Sequence, residues 1–102
     1  MSKEEKKEAE LQRIKERSKS IDFEILGTAS ADEKDDLKTI KGVGPFIEEK
    51  LNALGIYTFS QISKMTSDLE DQVNEAIEFF PGRVKRDEWA KQAKDLLDKG
   101  DA

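Results

Sequence analysis

The sequence predicts an all-α fold: a compact bundle of about five short helices after a charged tail that is itself helical or disordered. Apolar residues recur at helical spacing in several segments, and no segment alternates polar and apolar residues with the period of two typical of strands. Capping boxes, in which Ser or Thr is followed three positions later by Glu or Gln, begin at Ser30, Thr58 and Ser67. These two patterns together indicate helices throughout the domain.

The N-terminal segment is mostly Lys, Glu and Arg, and charges at helical spacing favour a solvated helix over residues 3–19. The alternative is that this segment docks back onto the domain through its few apolar side chains. We therefore divide the chain into a charged tail or helix with a linker (1–29), a helical domain (30–98) and a C-terminal tail (99–102). The side chains expected to dock the segment are Ile21, Phe23, Ile25 and Leu26.

Within the domain, the apolar spacing and the helix-breaking residues predict where each helix begins and ends. Trp89 lies on the same helical face as several apolar residues and is expected to anchor the core. Phe80 continues the apolar face of the fourth helix and is expected to be buried. The predicted helices span about 31–40, 45–54, 59–64, 68–79 and 86–98.

A glycine-rich hairpin, I-K-G-V-G-P-F-I at residues 40–47, connects the first two of these helices. Gly42 is expected to adopt a left-handed backbone, which only glycine enters without steric cost. Gly44 is expected at the N-cap, with Pro45 at the first helical position, where a missing N–H is tolerated. The free N–H groups of the next turn predict a clamp for a backbone phosphate. The alternative is a tight joint that binds nothing, and a Gly-x-Gly pattern alone does not decide between the two.

The motifs L-x-x-I-x-G-V-G-P (37–45) and L-x-x-L-G-I-Y-T (51–58) resemble the helix-hairpin-helix family of nucleic-acid-binding modules, which has a SAM-like helical fold. Three further motifs are similar to a small bacterial group described as predicted 5′ DNA nucleases, which resemble the helix-turn-helix part of flap endonucleases. These motifs are F-S-Q-I (59–62), F-F-P-G-R-V (79–84) and W-x-x-Q-A-K (89–94). The likeness covers roughly residues 30–97.

The resemblance implies weak, sequence-independent binding to the DNA backbone by an accessory module. Family members grip phosphates with hairpin amides and nearby Lys or Arg, and some hold a monovalent cation on the hairpin carbonyls. Such a cation is the only cofactor that the resemblance suggests for this chain. Carried over to this sequence, the candidate nucleic-acid-binding residues are Lys41, Gly42, Val43, Gly44 and Lys50, with Arg83, Lys85 and Arg86 as a second contact.

Two departures from the family pattern favour an alternative, a protein-interaction or adaptor domain in which the hairpin is purely structural. Phe46 follows the proline where DNA-gripping members often carry a polar residue, and Glu48 and Glu49 place negative charge near the expected phosphate. The third function considered, 5′ DNA nuclease activity, has the least support. It requires convergent carboxylates around metal ions, and the acids of this chain lie at helix starts or on exposed helix faces.

Composition narrows the function further. The chain has no cysteine and no histidine, which excludes a disulfide framework, a thiolate zinc site and the commonest general base. We therefore predict no catalytic residue, no metal site and no enzymatic activity. The net charge of −5 argues against strong nucleic-acid binding, and acids concentrate at residues 68–78. No apolar run is long enough for a membrane span. We expect a cytoplasmic monomer that binds DNA or an unidentified protein and does not bind a membrane.

Overall fold

The computed structural model describes residues 1–100 of the 102-residue chain, and these residues form helices and loops without strands. The predicted all-α fold is confirmed, with seven α-helices rather than about five in the described residues, joined by loops and by three short 3-10 helices. The α-helices are α1 (Lys3–Glu16), α2 (Phe23–Leu26), α3 (Pro45–Leu54), α4 (Phe59–Ser63), α5 (Ser67–Ala76), α6 (Arg83–Arg86) and α7 (Trp89–Gly100). No helix in this part of the chain has both the length and the apolar character needed to cross a membrane.

One apolar core lies around Trp89, whose indole is fully buried as predicted. The Phe79 ring packs against it, with the two ring centroids 5.9 Å apart. All seven helices contribute to this core, so the N-terminal helices and the hairpin helices are packed together. The other large side chains that are fully buried are Ile14, Leu26, Leu37, Ile40, Leu51, Leu54, Ile56, Ile62, Val73, Ile77 and Val84.

The prediction of a first hairpin helix at residues 31–40 is wrong. Two 3-10 turns, Ala31–Glu33 and Leu37–Thr39, lie there instead. Between them the backbone is extended, and the Asp35 carboxylate accepts a hydrogen bond of 2.8 Å from the Phe59 N–H. Contacts with a distant segment therefore replace the local hydrogen bonds that would have continued a helix.

The capping boxes at Ser30 and Thr58 form as predicted, each with its Glu or Gln. The third prediction, at Ser67, is wrong by one residue. Thr66 is the N-cap of α5, and its hydroxyl accepts a hydrogen bond of 3.2 Å from the Leu69 N–H. A Thr followed by a Ser offers two hydroxyls for one cap, and the sequence does not show which one folds into place.

Two glutamates with a left-handed backbone interrupt segments that the spacing predicts to be helical. Residues 68–79 were expected to be helical, but α5 ends at Ala76 and Glu78 adopts φ +55°. Residues 86–98 were expected to form a single helix, but Glu88 adopts φ +51° and separates α6 from α7. A left-handed backbone costs a non-glycine residue about 1 kcal/mol or more, so the surrounding packing must hold both residues in place.

The N-terminal segment is helical and packs on the domain. Ile14 of α1 is fully buried. Arg13 donates two hydrogen bonds of 3.0 Å to the Glu78 carboxylate, and Arg17 donates one of 2.9 Å to the Ala76 carbonyl. The helix is thus tied to the C-terminal end of α5. Of the four side chains expected to dock the segment, Ile21 and Leu26 are buried, Phe23 is half-buried and Ile25 is exposed.

The division of the chain into 1–29, 30–98 and 99–102 stays a prediction. Its C-terminal tail begins inside α7, which extends to Gly100. Asp101 and Ala102 lie outside the described residues.

Candidate functional site

The hairpin has the backbone geometry that its glycines predict. Gly42 has φ +102°, and the Val43 N–H donates a hydrogen bond of 3.1 Å to the Ile40 carbonyl, which closes the turn. Gly44 is the extended N-cap of α3, and Pro45 is its first residue. Val43 is buried beneath the turn. The hairpin is therefore a fixed connection between the 3-10 turn Leu37–Thr39 and α3.

The outer side of the hairpin is packed against the first turn of α7 and against Asp87, which lies just before it. The Lys41 N–H donates a hydrogen bond of 2.9 Å to Gln92 Oε1, and Gln92 Nε2 donates one of 3.1 Å back to the Lys41 carbonyl. A Cβ atom on Gly42 would lie 2.6 Å from Asp87 Oδ2 and 2.9 Å from Trp89 Nε1. The N–H groups of Lys41 and Val43 are thus bonded within the chain, and Gly42 lies beside a carboxylate, whereas the space beside Gly44 is open.

Lys50, one of the two cations expected to serve the hairpin, is 6% exposed. Its ammonium lies 3.4 Å from Glu10 Oε1 and 4.7 Å from the centre of the Phe46 ring. The Lys7 ammonium lies 5.0 Å from the same ring, so Phe46 contacts two cations. Lys50 therefore joins α3 to α1 and is not presented to solvent. Lys41 is exposed, as a binding cation would have to be.

The second predicted group of cations is also paired with acids. Arg83 and Arg86 both contact the Asp87 carboxylate, at 3.5 and 3.3 Å. Lys85 lies 2.8 Å from Asp71, whose hydrogen bond raises the pKa of the Lys85 ammonium. These pairs reduce the positive potential that would attract a phosphate.

Asp87 brings the two predicted groups together. Its carboxylate lies beside Gly42 and contacts Arg83 and Arg86. The other two lysines pair elsewhere, Lys50 with Glu10 and Lys85 with Asp71. Asp87 and Gln92 are the residues that sequence reasoning missed at this site. Both residues lie about 45–50 positions after the hairpin in the sequence, and no sequence pattern indicates that they contact it.

Phe80 is a second feature that sequence reasoning missed, because it was expected to be buried and is 69% exposed. The left-handed turn at Glu78 rotates the chain after α5, so Phe79 enters the core and Phe80 points outward. The apolar spacing gave no signal of this rotation. Among residues 1–100, no group of three or more acidic side chains is arranged to hold a metal ion.

The proteins that are similar to this chain include ribosomal proteins of both subunits. The chain is 44% identical over 62 residues to the large ribosomal subunit protein bL21 of Hyphomonas neptunium, covering 61% of this chain and 30% of that protein. It is 49% identical over 62 residues to the small ribosomal subunit protein uS2 of Azorhizobium caulinodans, covering 61% of this chain and 18% of that protein. It is also 39% identical over 67 residues to an uncharacterized 22.9 kDa protein of Paracoccus denitrificans, covering 66% of this chain and 31% of that protein. The chain thus spans about a fifth to a third of the length of these relatives.

These names correct the function that the hairpin predicted. Weak, sequence-independent DNA binding is wrong as the function, because the relatives are ribosomal proteins of both subunits. The predicted partners, DNA or an unidentified protein bound by a monomer, are corrected for the same reason. The predicted likeness to flap endonucleases is corrected as well. The pairing of Lys50 with Glu10 and of the second group with Asp87 and Asp71 agrees with this correction, whereas Lys41 stays exposed.

A family model covers most of the helical domain. It is described as the RS2/RL21/YNQ2 HHH domain, where HHH stands for helix-hairpin-helix, and it matches residues 37–97. No solved structure matches the chain. The helix-hairpin-helix resemblance is therefore confirmed, and its finer likeness to 5′ DNA nucleases has no support in these relatives. The chain belongs to the helix-hairpin-helix domain family shared by the RS2, RL21 and YNQ2 proteins.

Proposed function

We propose that this chain is a structural module that associates with the ribosome in the cytoplasm and has no catalytic role. The observation that most supports the proposal is the presence of its domain in proteins of both ribosomal subunits, bL21 and uS2, at 44% and 49% identity. Because the domain occurs in two different proteins, we expect it to act through its own surface.

The geometry favours association through protein contacts over phosphate contacts. Binding to RNA phosphates requires cations that are free to replace counterions. In this chain Lys50 is buried against Glu10, and Arg83, Lys85 and Arg86 all contact acids. The net charge of −5 adds a general repulsion from RNA.

Co-sedimentation tests the proposal. The purified chain is mixed with 30S subunits, 50S subunits and 70S ribosomes of Paracoccus denitrificans, and each mixture is separated on a sucrose gradient. We expect the chain to migrate with at least one of these particles. The Leu54→Asp variant is the control, because a carboxylate at a fully buried position should unfold the core and abolish specific association. If the unaltered chain stays at the top of every gradient, or migrates no further than the unfolded variant, the proposal is wrong.

A further inference from the structure

The turn between α5 and α6 presents an aromatic side chain to solvent. Phe80 is 69% exposed, and Pro81 and Gly82 beside it are exposed as well. The Phe80 ring lies beside Phe79, with the two ring centroids 5.9 Å apart, and most of its surface faces solvent. Aromatic residues of this kind are frequent among those that contribute most to protein interfaces.

The turn that carries Phe80 is held in one conformation by Asn74, which is 5% exposed. Asn74 Nδ2 donates a hydrogen bond of 2.9 Å to the Phe80 carbonyl, and Asn74 Oδ1 accepts one of 2.9 Å from the Val84 N–H. A buried amide thus fixes both ends of the turn. Because the backbone is already ordered, a partner that contacts Phe80 loses little free energy in ordering this surface.

A groove of about 370 Å³ runs beside the turn. Phe79 and Pro81 contribute its apolar surface, and Asp71 and Glu75 of α5 contribute carboxylates. Within residues 1–100, no Lys or Arg lies within ion-pair distance of Glu75, whereas Asp71 contacts Lys85. The groove therefore combines apolar surface with a carboxylate that has no cationic partner in the described part of the chain.

The charge of this surface is one-sided. Residues 67–82 contain five acids and no Lys or Arg. Two of these acids are paired with cations of other segments, Glu78 with Arg13 and Arg17 and Asp71 with Lys85. The other three, Asp68, Glu70 and Glu75, have no ion pair in the described residues. This surface, which we call the acidic face, consists of α5 and the turn that ends at Gly82. A phosphate backbone would be repelled by it, and the acidic faces of two copies of the chain would repel each other.

We propose that Phe80 and the acidic face bind a basic, extended peptide segment of a ribosomal protein. This inference rests on the proposed association with the ribosome and names the partner's chemistry. The aliphatic stem of a Lys or Arg from the segment lies against Phe79 and Pro81 while its charged head reaches Glu75. An apolar side chain of the same segment covers Phe80. Both features of the surface are then used, the exposed ring and the unpaired carboxylate.

Photo-crosslinking from position 80 tests which class of molecule binds there. The photoreactive residue p-benzoylphenylalanine replaces Phe80, and the same residue replaces Ile25, an exposed apolar position on α2, in a control protein. Each is irradiated with purified Paracoccus denitrificans ribosomes, and the products are identified by mass spectrometry. We expect position 80 to crosslink to a ribosomal-protein segment with a net positive charge, and position 25 to give no such product. A crosslink to rRNA, to a second copy of the chain or to an acidic segment overturns the proposal.

Two substitutions measure the contribution of each feature, with a matched control for each. Phe80→Ala and Glu75→Lys should each weaken association with ribosomes by about tenfold or more. Ile25→Ala removes a comparable exposed apolar side chain, and Asp98→Lys makes the same change of net charge on α7; both should bind as the unaltered chain does. The Trp89 fluorescence of each variant should remain that of the folded protein.

The outcomes separate this inference from the proposed function. If the unaltered chain does not migrate with ribosomes, the proposed function fails and this inference fails with it. If the unaltered chain migrates with ribosomes and Phe80→Ala and Glu75→Lys do so equally well, the proposed function stands and the acidic face is not the binding surface.

Discussion

Glu78 is the residue whose substitution most directly tests how the N-terminal helix is held. Its carboxylate accepts hydrogen bonds from Arg13 at 3.0 Å and from Arg17 at 2.9 Å, although its own backbone adopts φ +55°. We predict that Glu78→Gln lowers the free energy of unfolding, because the amide keeps the size of the side chain but loses the charge that attracts two guanidinium groups.

The pKa of Glu78 gives the magnitude. The hydrogen bonds from Arg13, followed by those from Arg17, lower the pKa of Glu78 from its ordinary value of 4.5 to about 2. Unscreened, this difference corresponds to about 3 kcal/mol. The Arg13 and Arg17 side chains are 52% and 38% exposed, so solvent and salt screen the pairs. We therefore expect a loss of about 1–2 kcal/mol at pH 7.

The dependence on pH follows from the direction of this shift. A carboxylate with a lowered pKa in the folded state stabilises the protein fully above its unfolded-state pKa, near 4.5, and loses that contribution as the pH falls through about 2. The difference in stability between the unaltered chain and Glu78→Gln should therefore be constant above about pH 6 and should shrink between about pH 5 and pH 2.

Urea unfolding followed by the fluorescence of Trp89, the only tryptophan, measures both quantities. Glu88→Gln is the matched control, since Glu88 also has a left-handed backbone, at φ +51°, and has no ion pair in the described residues. It should leave the stability nearly unchanged. Equal stability losses in the Glu78 and Glu88 variants, or a loss in Glu78→Gln that does not diminish in acid, would refute the reasoning.

Three further predictions concern the hairpin and the turns that hold the fold together. Gly42→Ala should destabilise the protein by about 2–4 kcal/mol, because the new Cβ would collide with Asp87 and Trp89 and because φ at this position is +102°. Gly44→Ala is the control and should cost less than about 1 kcal/mol, since no atom lies within 4 Å of its Cβ position. Thermal unfolding measures both. Asn74→Ala should cost about 2–3 kcal/mol and should increase hydrogen exchange at residues 79–84, since the three hydrogen bonds of a buried amide are lost. Unchanged exchange there would contradict the role given to this amide. Phe46→Leu should cost about 0.5–1.5 kcal/mol in urea unfolding, because the ring that contacts two lysines is lost while apolar contact remains; no measurable change would mean that these contacts contribute nothing.

The sequence alone determined the features that depend on local backbone chemistry. Gly42 can adopt a positive φ without steric cost, and Gly44 followed by Pro45 begins α3, because these residues permit or restrict particular backbone angles wherever they occur. The caps at Ser30 and Thr58 formed for the same reason, since a hydroxyl and a carboxamide or carboxylate three residues apart complete each other's hydrogen bonds. Such features need no information about distant parts of the chain.

Tertiary contacts decided which predicted helices form and which predicted binding residues remain exposed. The Asp35 carboxylate binds the Phe59 N–H, which breaks the helix expected at 31–40. Lys50 is buried against Glu10 of a helix about 40 residues earlier, so a predicted binding cation became part of the core. Neither pairing is visible as a sequence period, because the two partners are brought together only when the helices pack.

The candidate site shows the same division. The sequence located the hairpin correctly, but only the folded chain places Asp87 beside Gly42 and turns Phe80 outward. Both outcomes depend on left-handed glutamates, Glu88 next to Asp87 and Glu78 before Phe80, and glutamate gives no intrinsic preference for that conformation. Local chemistry therefore determined the motif, while long-range packing buried Lys50, placed Asp87 beside Gly42 and left an acidic, aromatic surface facing solvent.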